Sequence, residues 1–228
     1  MTVDEKLAAL RGFYAIVDPD HCGGRDPAWV AERILSGGCA LLQLRSKRAV
    51  DDRATMELGQ ELAALCRARG VPFVVNDSPA LALELGADAL HLGQDDMSIA
   101  QARRVVGSMP IGLSTHSREQ AQRALAQGAN LIGFGPVFAT ATKDNPDPVV
   151  GIDCLREVCG EVALPVVAIG GIDATTATQV ANAGAQLAAA ISAVCQADDP
   201  ALPAREIHAA LQRVGVETPQ SFAGADEK

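Results

Sequence analysis

The residues best suited to chemistry fall in clusters, each directly behind a short apolar run. Gln43, Arg45 and Lys47 close one run, Asn76 and Asp77 the next, and Gln94, Asp95 and Asp96 follow a third. Ser114, Thr115 and His116 end a fourth. Thr140, Thr142 and Lys143 lie in the loop after a fifth, and Gly170-Gly171 and Ser192 finish two more. Asp77 and Asp96 are two carboxylates that could converge on one hard cation, because Mg²⁺ commonly takes one or two carboxylates together with substrate phosphate oxygens. The competing reading is that each caps a helix, since Asp77-Ser78-Pro79 and Asp96-Met97-Ser98 both read as helix starts. Arg45 and Lys47 are two positions apart, so in an extended segment they share a side. A guanidinium fork and a point charge there can grip a diphosphate; a solvated strand end is the plainer alternative.

Gly170-Gly171 suits a phosphate met by bare backbone N–H groups, and equally a tight turn that needs glycine. Lys143, in TATKDNPDP, sits in a loop long enough to act as a lid, although a solvated lysine has the same signature. His91, inside ALHLG, reads as a packed, hydrogen-bonded strand residue. His116 could polarise a substrate, but Thr115-His116-Ser117 reads equally as a helix start. Neither histidine gains a catalytic role.

The elements that position these residues are short apolar blocks: 13–18, 40–45, 72–77, 89–93, 110–115, 131–137, 165–171 and 187–194. Several are almost continuously apolar, as expected of parallel strands covered on both faces. Amphipathic segments separate them, such as DPAWVAERILSGG, with Pro27 suited to a first helical turn and Gly37 to a C-cap. ELGADAL, AQGANLI and NAGAQLA each place Gly-Ala between a helix and the following strand. Eight strand–helix units with no Pro/Gly/Ser-rich linker predict an α/β fold, a single-domain (β/α)₈ TIM barrel over residues 1–213. The polar segment 214–228 has no periodicity and is expected to be disordered. In such a barrel the C-terminal strand ends carry the working residues, so all the clusters would face one mouth.

Composition bounds the function. Of 228 residues, 48% are hydrophobic and 21% charged, which fits a folded chain. A net charge of −9 argues against nucleic acid as a partner, because phosphate backbones are held by basic surfaces. The six cysteines form no CxxC pair, so zinc is not expected. The acidic start MTVDEKLAAL does not resemble a signal peptide, and no run approaches the ~20 apolar residues of a membrane span. A cytoplasmic protein with reduced thiols and small-molecule substrates is expected, self-association being compatible with the sequence.

Taken in order, QLRSK (43–47), ND (76–77), HLGQDD (91–96), STHS (114–117), GFGPVFATATK (133–143), AIGGI (168–172) and the pair Ile191-Ser192 resemble thiamine phosphate synthase. The resemblance covers about Phe13 to Val194. It implies condensation of a hydroxymethylpyrimidine diphosphate with a hydroxyethylthiazole phosphate, giving thiamine phosphate and pyrophosphate by a dissociative, Mg²⁺-assisted route. It further implies that Gln43, Arg45, Lys47, Asn76, Ser114 and Lys143 hold the pyrimidine diphosphate, with Arg45, Lys47, Ser114 and Lys143 acting in catalysis. Leu44, Ser46 and Ala141 join the substrate lining. Asp77 and Asp96 would hold Mg²⁺, and Thr140, Thr142, Gly171, Ile191 and Ser192 would receive the thiazole phosphate. Two positions depart from the family pattern: Ser46 replaces the usual acid and Ala141 the usual proline. A thiazole tautomerase of the same barrel group would need neither the paired aspartates nor the diphosphate grip. A non-catalytic sensor of thiamine phosphate would share the pocket, and a turnover assay separates all three.

Overall fold

The computed structural model describes residues 9–47, 53–140, 142 and 147–213. Strand and helix alternate as far as β8, which two helices follow: β1 (Gly12–Val17), α1 (Pro27–Gly37), β2 (Leu41–Leu44), α2 (Arg53–Arg69), β3 (Phe73–Asn76), α3 (Pro79–Glu84), β4 (Ala89–Leu92), α4 (Ile99–Val106) and β5 (Ile111–Thr115). The second half continues with α5 (Arg118–Ala126), β6 (Leu131–Phe134), α6 (Gly151–Glu161), β7 (Val166–Ala168), α7 (Ala177–Asn182), β8 (Leu187–Ala190), α8 (Ser192–Cys195) and α9 (Ala201–Arg213). The strands are parallel, each pairs with the next, and β8 returns to β1, closing the TIM barrel. The tail expected over 214–228 lies outside the described residues.

Strand alternation sorts the core into two layers. Tyr14, Leu41, Val74, Ala89, Leu131, Val167, Leu187 and Ala189 point inward and fill the barrel. Their neighbours Phe13, Ala15, Leu42, Leu44, Phe73, Val75, Leu90, Ile111 and Ile132 point outward, against the helices, in the larger cluster. Because both faces are covered, the strands read as continuous apolar runs rather than as alternating ones. At the start of β1, His208 of α9 accepts the Phe13 N–H on Nδ1 at 3.3 Å. Among the described residues no helix is long and apolar enough to cross a membrane.

Helix ends follow the sequence with one displacement. Gly86, Gly128 and Gly184 take the left-handed conformation that returns the chain to β4, β6 and β8. At the end of α1 the C-cap is Gly38, with φ at 105°, and not Gly37. Gly37 is glycine for a different reason: a Cβ there would stand 2.3 Å from the Ala201 carbonyl oxygen, so the start of α9 packs directly on its backbone.

Candidate active site

The inward row nearest the mouth contains Ile16, Gln43, Asn76, His91, Ser114 and, in register with Ser114, Gly133. Gln43 donates from Nε2 to the Tyr14 hydroxyl at 2.7 Å. Tyr14 meets the His91 ring edge-on, with 6.1 Å between centroids, and His91 Nε2 is 3.0 Å from Ser114 Oγ. Burial pushes the Tyr14 phenol well above its ordinary pKa, the Gln43 bond pulling the other way, so Tyr14 stays neutral. The His91 ring occupies space that side chains would otherwise fill: a Cβ at Gly112 would stand 2.6 Å from its Nδ1, and one at Gly133 3.5 Å from its Cε1. A polar chain running Gln43, Tyr14, His91, Ser114 thus crosses beneath the mouth.

Above this chain the rim is charged. The Asp77 and Asp96 carboxyls are near enough for each to act on the other's proton, and Asp96 Oδ2 accepts the Gly93 N–H at 2.6 Å. Burial and the neighbouring Asp77 raise the Asp96 pKa, while the Gly93 N–H and the Lys47 charge act against the shift. Lys47 Nζ donates to Asp77 Oδ2 at 2.9 Å. Asp77 holds a left-handed backbone, φ 63°, which costs a non-glycine residue on the order of 1 kcal/mol.

Neither aspartate caps a helix. Ser78 caps α3 by accepting the Leu81 N–H, and Ser98 caps α4 in a reciprocal box with Gln101. The serines therefore take the capping role that competed for Asp77 and Asp96. Two like charges pressed together suit a shared divalent cation. No group of three or more His, Cys, Asp or Glu that could hold a metal occurs among the described residues, so water and phosphate oxygens would supply the other ligands, as Mg²⁺ prefers.

The opposite side of the mouth is built from backbone and hydroxyls. The loop after β6 lies along the end of β7, with Val137 N–H bonded to Ile169 O at 2.8 Å and Phe138 N–H to Gly170 O at 3.1 Å. Thr140 and Thr142 hydroxyls are 3.3 Å apart, and Thr142 Oγ1 is 3.1 Å from Ser192 Oγ at the start of α8. Ile191 directly precedes that turn. Gly171 has φ 66°, and a Cβ there would stand 2.6 Å from Ala139 O and 2.7 Å from Phe138 Cβ. The packing of the loop itself already requires glycine at 171.

Not every expected residue turns toward the mouth. Leu44 is 1% exposed and joins the layer between barrel and helices, and Ser46 Oγ lies 3.2 Å from Thr55 Oγ1 of α2. Both nevertheless line the small cavity that Lys47, Asn76 and Asp77 also border. Ala141 and Lys143 lie outside the described residues. Arg45 does not stand alone at the rim, because its Nη1 donates to Asp18 Oδ2. Asp18 and Tyr14 are missing from the expected site. Asp18 ends its apolar block as the other polar residues end theirs, and that position was the available signal.

The family profile described as thiamine monophosphate synthase matches residues 13–194, the span that carries every element of this mouth. The chain belongs to that family. It is 46% identical over 200 residues to the thiamine-phosphate synthase of Methylococcus capsulatus (strain ATCC 33009 / NCIMB 11132 / Bath), covering 86% of this chain and 88% of that protein. With the thiamine-phosphate synthase of Chloroflexus aurantiacus (strain ATCC 29366 / DSM 635 / J-10-fl) it shares 41% identity over 197 residues, 86% and 91% of the two chains. The solved thiamine phosphate pyrophosphorylase from Pyrococcus furiosus superposes with a TM-score of 0.82 at 33% identity, over 93% of this chain and 99% of that one. Membership makes the protein an enzyme, a transferase of thiamine biosynthesis, and supports thiamine-phosphate synthase function.

Proposed function

We propose that the enzyme joins 4-amino-5-hydroxymethyl-2-methylpyrimidine diphosphate to hydroxyethylthiazole phosphate, releasing pyrophosphate and forming thiamine phosphate. The observation that carries this reading is the division of the mouth. Lys47 rests on the Asp77–Asp96 pair on one side and Arg45, two residues before it, is held by Asp18, while Thr140, Thr142 and Ser192 hydroxyls gather in the loop after β6 and at the start of α8. One side suits a diphosphate with its cation and the other a monophosphate.

In this reading Asp77 and Asp96 hold Mg²⁺, which when bound supplies positive charge to the departing diphosphate. Arg45, Lys47 and Lys143 hold the diphosphate oxygens, and Ser114 and Asn76 fix the pyrimidine end over the Gln43–Tyr14–His91 floor. The bond between the pyrimidine methylene carbon and the diphosphate oxygen breaks first, the electron pair leaving with pyrophosphate. The thiazole nitrogen then supplies its lone pair to the electron-poor methylene carbon. That nitrogen carries no proton, so the bond-forming step needs no general base, which agrees with His91 being used to hold Ser114. Thr140, Thr142, Gly171, Ile191 and Ser192 hold the thiazole phosphate.

A reducing, cytoplasmic setting belongs to this reading, in which all six cysteines are free thiols. Incubation with both substrates and Mg²⁺ should release equal amounts of thiamine phosphate and pyrophosphate. Absence of both products from folded protein would overturn the proposal.

A further inference from the structure

Asp18 is fully buried, yet it sits at the end of β1 beside the mouth. Its two carboxylate oxygens have separate duties. Oδ1 accepts the Asp20 N–H at 3.0 Å and so caps the short 3₁₀ turn Pro19–His21. Oδ2 accepts from Arg45 Nη1, and His21 Nδ1 stands 3.3 Å from the same oxygen. Arg45 is itself only 13% exposed.

A buried ion pair of this kind is a poor source of stability, because desolvating both charges offsets most of their attraction. Its effect falls on geometry. A free arginine has about 2 kcal/mol of rotamer entropy. Anchoring Nη1 fixes the guanidinium plane before any ligand arrives. Nε and Nη2 take no acceptor among the described residues, so their donors remain for an anion. The carboxylate also cancels much of the arginine's charge, leaving Arg45 as a directed hydrogen-bond donor more than as a bulk cation.

We infer that Asp18 is a positioning residue, holding Arg45 where charge develops on the departing diphosphate at the expense of attraction for the bound substrate. The inference rests on the proposed reaction and adds a residue to it. It makes an unusual kinetic demand: without Asp18, Arg45 becomes a freer and more fully charged cation. Ground-state binding of the pyrimidine diphosphate then holds or tightens, while the rate of its departure falls, since only interactions stronger in the transition state raise kcat.

The test is steady-state kinetics of Asp18→Asn, which keeps an oxygen for the Asp20 N–H and removes the charge. The expected result is a fall in kcat of about tenfold or more, with KM for the pyrimidine diphosphate unchanged or lower and the thiazole phosphate KM unchanged. Placed in an Arg45→Lys background, Asp18→Asn should cost little more, because the group it positions is gone. If Asp18→Asn does not fold, Asp18→Ser offers a smaller cap and serves in its place. An unchanged kcat, a joint rise of both KM values, or an equal loss with Arg45→Lys present would overturn the inference. Wild-type enzyme measured alongside keeps the two readings apart: an inactive wild type sinks the proposed reaction, whereas an active wild type with a normal Asp18→Asn sinks only this inference.

Discussion

Lys47 of the β2 end donates to Asp77 of the β3 end at 2.9 Å, so the ammonium expected to grip a diphosphate already rests on a carboxylate expected to hold Mg²⁺. Lysine and the proposed metal would compete for one oxygen. Lys47 is 56% exposed and Asp77 26%, and such a pair is worth up to about 1 kcal/mol after screening by solvent. Lys47→Met should therefore tighten Mg²⁺ binding to the substrate-free enzyme by about two- to fivefold while raising KM for the pyrimidine diphosphate. Calorimetric Mg²⁺ titration checks this, and weaker binding would show that Lys47 orients Asp77 instead.

Neutralising either carboxylate should remove turnover and leave the barrel standing. Ser78 and Ser98 cap α3 and α4, and an asparagine at 96 can still accept the Gly93 N–H. Asp77→Asn and Asp96→Asn are each expected to lower kcat/KM at least about a hundredfold, by removing one hard charge from the cation. Rates across a Mg²⁺ titration, beside circular dichroism of each variant, measure the effect; near-normal rates in either would defeat the metal assignment.

The glycine opposite His91 gives a third test. Gly112→Ala places a methyl 2.6 Å from His91 Nδ1, and the ring must move off Ser114 or the strands must spread. Overpacking of this kind costs about 1–3 kcal/mol. Both Tm and kcat should fall, and Ser114→Ala should lower kcat with a much smaller change in Tm. Unaltered thermal stability of Gly112→Ala would mean that the ring has room to spare.

The contact between α9 and the start of β1 predicts a pH effect. Burial lowers the His208 pKa below 6.5, and its neutral Nδ1 accepts the Phe13 N–H. The unfolded chain therefore takes up this proton at higher pH than the folded one. Stability associated with His208 is full above about pH 6.5 and is lost as pH falls toward the depressed folded value. His208→Asn retains an acceptor without the proton equilibrium, so its Tm should vary less between pH 7 and pH 5 than that of the wild type. Parallel curves would remove His208 from the acid response.

The sequence made the strand ends legible because a polar residue after an apolar run is rare unless something holds it there. Asp77, Asp96, Arg45 and Ser114 were all visible in that way. Tyr14 was not, since its partners Gln43 and His91 arrive from other strands and a satisfied polar group inside an apolar block looks like core. Asp18 stands at a strand end like the others, but its partner Arg45 comes from a different strand and no local pattern pairs the two. Glycines were the hardest to read. Gly112 is small because of a ring on β4, Gly37 because of the start of α9, and Gly171 because of a loop from β6. No local pattern distinguishes these three from a turn.

The barrel is closed by contacts between the two ends of the sequence. β1 pairs with β8, α9 packs on α1, and Arg25 donates to the carbonyls of Cys195 and Ala197 at 2.6 Å, the latter 172 residues away. During synthesis β1 is among the first strands made, and it keeps one edge unpaired until β8 has emerged. A chain halted before Leu187 would leave β1 and β7 without the partner that β8 gives each of them, and unpaired edges are the kind of template on which chains aggregate. The finished ring has no edge at all. The hazard for this protein thus lies in the interval of its making, and β8, the strand that closes the ring, relieves it.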